Sequence, residues 1–215
     1  GGKLGRHETD GYQAWGNIVK VFNVPNFDMD GEFFIEDQPL DAVYYGLEHT
    51  FGEQTATSVK IKGVKTKRNA RQGISICGGK NIHIDSCYFA DIGKGLFASG
   101  PTSGLDIEGE RGDVENLLVT NTDFIGAVRY NIDDSMFNVK NCEFNKCKIV
   151  AAQGTYALRN RRSKYVNCDI YGDANIAVGD SSDVTLPVFK SCRFYNDPSV
   201  VSENQLISVN RSEDG

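Results

Sequence analysis

One short pattern recurs along the chain and limits what it can fold into. Five segments share it: NIHIDSCYF (81–89), NLLVTNTDF (116–124), FNVKNCEF (137–144), KYVNCDIY (164–171) and VFKSCRFY (188–195). Aligned on a Cys or Thr, they place Cys87, Thr122, Cys142, Cys168 and Cys192 in one column, with steps of 35, 20, 26 and 24 residues. Self-similarity at such a period is typical of a solenoid, in which each repeat is one structural unit stacked on the next.

A second set of short segments lies between these repeats. It comprises GISICG (73–78), GLDIEG (104–109), NIDDS (131–135), IVAAQG (149–154), NIAVGD (175–180) and LISVN (206–210). Each alternates and is bounded by Gly, Asn, Asp or Ser, which indicates a strand between turns. Stacking would bring Ile74, Leu105, Ile132, Ile176 and Leu206 or Ile207 into one buried column.

The two sets together predict an all-β fold, a right-handed parallel β-helix with coils of about 20 to 26 residues. Propeller blades need about 40 residues and helical repeats a period of 3.6, and neither occurs here. We expect one domain over residues 1–215, with loop insertions near residues 37–58 and 91–103. The ends do not resemble caps, which predicts a fragment of a longer chain or ends covered by partner subunits.

Composition argues against several other classes of protein. There are 29 acidic and 23 basic residues, a net charge of -6, and no dense Lys/Arg run, so no nucleic-acid partner is expected. No apolar run approaches the ~20 residues of a membrane span, and the first residues lack the apolar core of a secretory signal. The six cysteines largely share one repeat position, which favours reduced interior side chains over disulfides.

Three phrases of the chain resemble a known family. GGKLGRHETDGYQAWGNIVKVFNVPNFDMDG, RQGISICGGKNIHIDSCYF and SGLDIEGERGDVENLLVTNTDF are similar to the pectate-lyase-superfamily β-helices, over roughly residues 1–125. Many members are bacteriophage tailspikes, and others are bacterial proteins that act on polysaccharides. The resemblance implies a bacterial polysaccharide ligand, a homotrimer, and a location on a virion tail or an outer cell surface.

The chain departs from the family's known catalytic motifs. Asp133 and Asp134 are a possible match to the paired aspartate of polygalacturonase-type hydrolases, but the Asn-Thr-Asp, Gly-His-Gly and Arg-x-Lys motifs are missing at sensible spacings. The carboxylate set of Ca²⁺-dependent lyases is only partly present. We therefore expect no cofactor, with Ca²⁺ as the alternative if the chain is a lyase, and no zinc site, because no histidine pair or Cys-x-x-Cys has suitable spacing.

Stacking of the second strand set brings acidic residues together. Ser75, Asp106 and Asp133 align in one outward column, and Cys77, Glu108 and Ser135 align two residues further on. Arg71, Thr102 and Arg129 align just before the strands. Adjacent carboxylates repel, which raises one pKa as a general acid requires, and arginines bind sugar carboxylates. Asp106, Glu108 and Asp133 are the predicted catalytic residues and Arg71 and Arg129 predicted ligands of the substrate; the alternative is a solvated outer face.

Aromatic residues supply a further candidate surface. Tyr44, Tyr45 and Phe51 lie in the first predicted insertion and offer faces on which sugars stack, or else they pack the loop against the coil. The second insertion leads directly into the GLDIE strand, so it is expected either to wall a groove beside the acidic residues or to pack against a neighbouring subunit. His83 is expected to face outward as a surface residue.

The sequence therefore predicts a tailspike-like β-helix that recognises and degrades a bacterial surface polysaccharide, as a hydrolase or a lyase. Two alternatives stay open. One is a non-enzymatic shaft that binds a glycan or spaces other domains, and the other is an epimerase-like enzyme that changes sugar stereochemistry without shortening the polymer.

Overall fold

The chain is all-β, as predicted. The computed structural model describes residues 2–5, 17–46, 58–95, 98–109, 111–134, 138–178, 187–195 and 207–211, and within these ranges the only regular elements are β-strands. In chain order they are β1 (Gly2–Gly5), β2 (Val19–Phe22), β3 (Asn26–Glu36), β4 (Val43–Gly46), β5 (Ser58–Lys67), β6 (Ile74–Ile76), β7 (Gly79–Asp85), β8 (Tyr88–Ala90), β9 (Ser103–Ile107), β10 (Val114–Thr120), β11 (Asp123–Ile125), β12 (Tyr130–Asp134), β13 (Val139–Lys140), β14 (Glu143–Asn145), β15 (Lys148–Val150), β16 (Tyr156–Asn160), β17 (Lys164–Val166), β18 (Asp169–Tyr171), β19 (Asp173–Val178), β20 (Val188–Lys190), β21 (Arg193–Tyr195) and β22 (Ile207–Arg211).

The strands form two parallel sheets. The smaller sheet has the order β2-β4-β6-β9-β12-β16-β19-β22. The larger, 14-stranded sheet has two arms that meet at β5: one arm runs through β7, β10, β14, β17 and β20, and the other through β8, β11, β15, β18 and β21. The chain thus visits both arms of the larger sheet and then the smaller sheet before it repeats the path. We call one such pass a row; β7, β8 and β9 make one row, and β10, β11 and β12 make the next.

The arms of the larger sheet are joined at a sharp corner with a left-handed residue. In successive rows this residue is Ser86, Asn121, Lys146, Asn167 and Ser191, with φ between 49° and 56°. The backbone still pairs between rows at this corner: the Ser86 amide donates to the Thr120 carbonyl, and the Asn121 amide donates to the Asn145 carbonyl. Short polar residues such as Asn adopt this conformation at low cost, which explains their recurrence before the Cys/Thr column.

The core is built from columns of like side chains. In the smaller sheet, Val43, Ile74, Leu105, Ile132 and Leu158 are successive register partners, and each is fully buried. In the larger sheet the rings of Phe89 and Phe124 stack at 5.2 Å, and those of Phe144 and Tyr165 stack at 4.8 Å. Register pairing thus converts the sequence repeat into a continuous apolar interior.

One repeat was aligned wrongly. Register places Cys147, not Cys142, in the column of Cys87, Thr122, Cys168 and Cys192, because the Lys148 amide bonds to the Thr122 carbonyl and the Asp169 amide to the Cys147 carbonyl. Cys142 instead lies two residues after strand β13 and matches Ser163, because the Lys164 amide donates to the Cys142 carbonyl.

The left-handed residue that precedes Cys142 is Asn141, with φ of 53°, and it belongs to a different ladder from the corner residues. The side-chain amide of Asn141 donates to the Asn116 side chain at 3.2 Å, and that of Asn116 donates to Asn81 at 3.0 Å. The segment EFNKCKIV (143–150) is therefore the true third repeat, and IVAAQG (149–154) does not supply a strand of the smaller sheet. The strand of the smaller sheet in this row is β16. Ile176 therefore pairs with Asn160, and Ala174, which pairs with Leu158, takes the position in the buried column that was predicted for Ile176.

The two predicted insertions differ in structure. Residues 43–46 of the first are strand β4 rather than loop, and they pair with β2 and β6. In the second, the described residues between 91 and 102 contain no strand. All six cysteines are unpaired, and five of them are buried, as predicted. Among the described residues, no helix is long and apolar enough to span a membrane.

Candidate functional site

Acidic side chains collect on the outer face of the smaller sheet. Ser75 is the register partner of Asp106, and Asp106 is the partner of Asp133, as the repeat alignment predicts. These residues alternate with the buried Ile74, Leu105 and Ile132, so their side chains lie on the opposite face of the sheet. Asp41 and Glu108 join them, and we call Asp41, Asp106, Glu108 and Asp133 the acid cluster.

The acid cluster is almost completely shielded from solvent. The exposed fractions are 0% for Asp41, 5% for Asp106, 8% for Glu108 and 1% for Asp133. Parallel rows lie ~4.8 Å apart, so carboxylates on neighbouring rows interact at close range in a medium that screens charge poorly. The alternative of a solvated outer face is therefore wrong for these four residues.

Neutral side chains hold the carboxyl groups in place. The Gln72 side-chain amide donates to Asp106, and also to Glu108 Oε1 at 3.2 Å. Ser75 Oγ donates to Asp41 Oδ2 at 3.0 Å, and Cys77 Sγ donates to Glu108 Oε2 at 3.0 Å. The cluster is thus a connected network that spans three rows of the chain.

Burial changes the protonation of two of these acids. Burial, followed by the nearby charges of Glu108 and Asp133 and a hydrogen bond with Glu108, raises the pKa of Asp106 to about 9. Burial also raises the pKa of Asp41 to about 7, although Arg71 and Ser75 oppose the shift. Asp106 therefore carries a proton at neutral pH, which is the state that a general acid requires.

Two arginines border the acid cluster, but they are not the predicted pair. Arg71 lies 3.6 Å from Glu108 and 3.9 Å from Asp41, as expected. Arg129 is exposed, and its guanidinium lies over the ring of Tyr130 at 5.4 Å rather than against a carboxylate. The second arginine beside the acid cluster is Arg159, which is the register partner of Asp133 and donates to both of its oxygens, at 2.8 and 2.5 Å.

The sequence contained a signal for Arg159 that the misaligned repeat concealed. YALRN (156–160) is also a short segment with apolar residues that comes soon after a glycine, Gly154, so it fits the strand pattern as well as IVAAQG does. Asp41 and Gln72 carried no such signal, because they precede strands β4 and β6 and reach the cluster through the turns that lead into those strands.

The three predicted aromatic ligands have different fates. Tyr45 is fully buried, and its hydroxyl donates to the Val24 carbonyl at 3.1 Å, so it cannot stack on a sugar. Alternation puts Tyr44 on the outer face, half-buried, with its ring 5.7 Å from Lys20 Nζ. Phe51 lies outside the described residues. Of the two that the structure describes, Tyr44 lies on the same face as the acid cluster, as the register partner of Ser75.

Asp133 and Asp134 face opposite sides of the sheet, so they do not form a catalytic pair. Asp134 is fully buried in the interior and accepts hydrogen bonds from Ser163 Oγ at 2.5 Å and from the Ser163 amide at 3.0 Å. Burial raises its pKa despite these bonds. Asp134 is a structural group that anchors the turn between β16 and β17.

The described residues hold no group of three or more His, Cys, Asp or Glu side chains with the geometry of a metal site. Ser135, the third member of the predicted Glu108 column, lies outside the described residues. Comparisons of the chain with protein-family models, curated proteins and solved structures found no match. The functional argument therefore depends on the geometry of the acid cluster.

Proposed function

We propose that the two sheets close into a right-handed parallel β-helix of the pectate-lyase-superfamily type, and that this β-helix recognises and degrades a bacterial surface polysaccharide. The rows, the left-handed corners and the stacked apolar columns support the architecture. The observation that carries the function is Asp106, a buried carboxyl group that retains its proton at neutral pH and lies between Glu108 and Asp133.

In this proposal Asp106 is the general acid that protonates the oxygen of the leaving sugar. Glu108 is the partner carboxylate, because its side chain is 10% exposed and lies beside Arg71. Asp133 is held by two hydrogen bonds from Arg159, so it acts on the pKa of Asp106 rather than on substrate. Most glycoside hydrolases use a pair of carboxyl groups, one as the general acid and the other as the base or nucleophile.

Arg71 and Arg159 are the proposed substrate ligands. Their side chains are 32% and 27% exposed, respectively, while the acids beneath them are buried. A guanidinium at the surface of such a site binds a sugar carboxylate through two parallel hydrogen bonds. The proposed substrate is therefore a polysaccharide that carries acidic sugars. The protein itself is proposed to be a homotrimer on a virion tail or an outer cell surface.

The test is a depolymerisation assay on a panel of bacterial capsular polysaccharides, with reducing ends and ultraviolet-absorbing double bonds measured in parallel. Asp106→Asn and Glu108→Gln should abolish product release and leave the circular dichroism spectrum unchanged. Asp123→Asn is the matched control, because Asp123 is also an aspartate whose pKa burial raises, but it lies on the larger sheet. Full activity in both cluster variants would refute the assignment of the site.

The same panel separates the alternatives. Retention of a polysaccharide without cleavage would identify a glycan-binding shaft, and a change in the proton NMR spectrum without shortening would identify an epimerase. New reducing ends would indicate a hydrolase, and new double bonds a lyase. Loss of lyase activity on chelation, restored by Ca²⁺, would add that ion as a cofactor. Sedimentation at several protein concentrations tests the proposed trimer.

A further inference from the structure

A second polar site lies on the outer face of the larger sheet. Two open depressions, of about 280 and 290 Å³, adjoin there and share His83 and Asp85 in their linings. The first also includes side chains of β3 and β5, and the second includes side chains of β10 and β14 and of the corners that follow them. Together they form a groove that crosses several rows, and the acid cluster lies on the other sheet.

The floor of the groove is a fixed hydrogen-bond network centred on Asp85. Thr120 Oγ1 donates to Asp85 Oδ1 at 2.5 Å, the Asn121 side-chain amide donates to the same oxygen at 2.9 Å, and Ser86 Oγ donates to Asp85 Oδ2 at 3.0 Å. His83 Nε2 lies 2.9 Å from Thr120 Oγ1. Partial burial tends to raise the pKa of Asp85, but these bonds outweigh it and hold the pKa below its ordinary value.

Cationic groups along the groove are available to a ligand. Asp28 and Asp30 also line the groove: Lys62 pairs with Asp30 at 3.6 Å, and Asp28 is the register partner of Lys60. By contrast, Lys60 and Lys146 are exposed, and neither has an ion pair among the described residues of the chain. Lys60 is the register partner of His83, and Lys146 follows Asn145 two rows beyond β7. Three row steps, ~14 Å across the rows, separate Lys60 from the row of Lys146, and Lys146 lies three residues beyond Glu143, the residue of that row in register with Lys60.

We propose that this groove binds an acidic polysaccharide lengthwise across the rows, as a non-catalytic site. Lys60, His83 and Lys146 contact its carboxylates, and the groups around Asp85 contact its hydroxyls. The proposal shares the ligand class of the proposed function but rests on different residues. The groove is open and elongated and is lined mainly by charged and polar side chains, whereas small-molecule sites are mostly apolar and enclosed. Two lysines and one histidine in an acidic chain are too few for a nucleic-acid backbone.

The test is binding of polygalacturonate and of alginate, with uncharged dextran as the reference polymer, measured by affinity electrophoresis at low and high salt. The combined variant Lys60→Gln, His83→Gln, Lys146→Gln should bind the acidic polymers about tenfold more weakly and lose most of the salt dependence. Lys140→Gln is the matched control: Lys140 is equally exposed but paired with Asp113 at 3.3 Å, and it should bind as the unchanged protein does.

The outcomes separate this proposal from the proposed function. Asp106→Asn should bind the polymers normally, even if it cleaves nothing. Equal affinity of the combined variant and the unchanged protein would overturn the groove proposal, as would equal weakening in Lys140→Gln or equal retention on dextran. If the protein is an active enzyme, any of those binding results would refute the groove proposal without affecting the catalytic role proposed for the acid cluster. Melting temperatures of all variants show whether a change in binding reflects unfolding.

Discussion

Replacement of Asp106 by Asn should stabilise the folded protein at neutral pH and remove its activity. The reason is linkage between protonation and folding. Folded Asp106 has a pKa of about 9, whereas the unfolded group titrates near 3.8. Between these values the native state binds more protons than the unfolded state, so the free energy of unfolding falls as pH rises.

The structure gives the size of the effect. A group that is protonated when folded and ionised when unfolded removes up to ~1.4 kcal/mol of stability for each pH unit. Between pH 5 and pH 7, the advantage of Asp106→Asn over the unchanged protein should therefore grow by up to ~3 kcal/mol. Asparagine preserves the size of the side chain, and it can accept from Gln72 and donate to Glu108 as protonated Asp106 does.

Urea unfolding, followed by circular dichroism at pH 5, 6, 7 and 8, measures this advantage. Asp85→Asn is the control of opposite sign, because the folded pKa of Asp85 is lowered: its contribution to stability is present above the unfolded pKa and is lost as pH falls through the folded pKa. That variant should be less stable than the unchanged protein at pH 7 and similar to it in strong acid. An advantage of Asp106→Asn that stays constant or shrinks as pH rises would refute the reasoning.

Three further substitutions test the fold. Phe124→Ala should lower the free energy of unfolding by ~3–5 kcal/mol, because Phe124 is fully buried and stacks on Phe89. Tyr88 is 39% exposed, so Tyr88→Ala should have a much smaller effect. Similar losses of stability in the two variants, measured by chemical denaturation, would contradict the core assignment. Asn116→Ala should lower the free energy of unfolding by ~1–2 kcal/mol, because it removes the side-chain hydrogen bonds to Asn81 and Asn141 and places alanine at a left-handed position, with φ of 57°. Asn116→Gly should recover the part of the loss that comes from the left-handed backbone. Equal stability of the two variants would argue against a backbone contribution. Arg159→Ala should lower the free energy of unfolding by ~3–5 kcal/mol, because it leaves Asp133 buried without its ion pair. Adding Asp133→Asn to that variant should restore part of the loss. An unchanged melting temperature in Arg159→Ala would contradict the pairing.

The repeat made most of the strands predictable. Alternation identifies which side chains share a face, and the period identifies which segments are neighbours, so the alignment of Ser75, Asp106 and Asp133 followed without coordinates. The error at Cys142 has a specific cause. The stretch NCEFNKC contains two cysteines five residues apart, each after a polar residue, and only the backbone hydrogen bonds of Thr122 and Cys147 decide which one continues the column.

That one error propagated to the candidate site. With IVAAQG assigned to the smaller sheet, Arg159 was given no place in the stack, whereas Arg129 was predicted because it aligns with Arg71 and Thr102 just before the strands. A strand that shifts by one residue moves every side chain to the other face, so a local misalignment changes which charges meet. The opposite orientations of Asp133 and Asp134 are another result of this alternation.

The sequence by itself determined the all-β class, the spacing of the repeats and the outward position of the acidic residues, because these depend on local alternation and on turn residues. Only the tertiary structure decided that the outward acids are buried. Gln72 and Asp41 enter the cluster from turns, and Arg159 enters from a strand 26 residues beyond Asp133. Burial and the resulting rise in the pKa of Asp106 depend on how neighbouring rows cover one another, and no single segment of sequence contains that information.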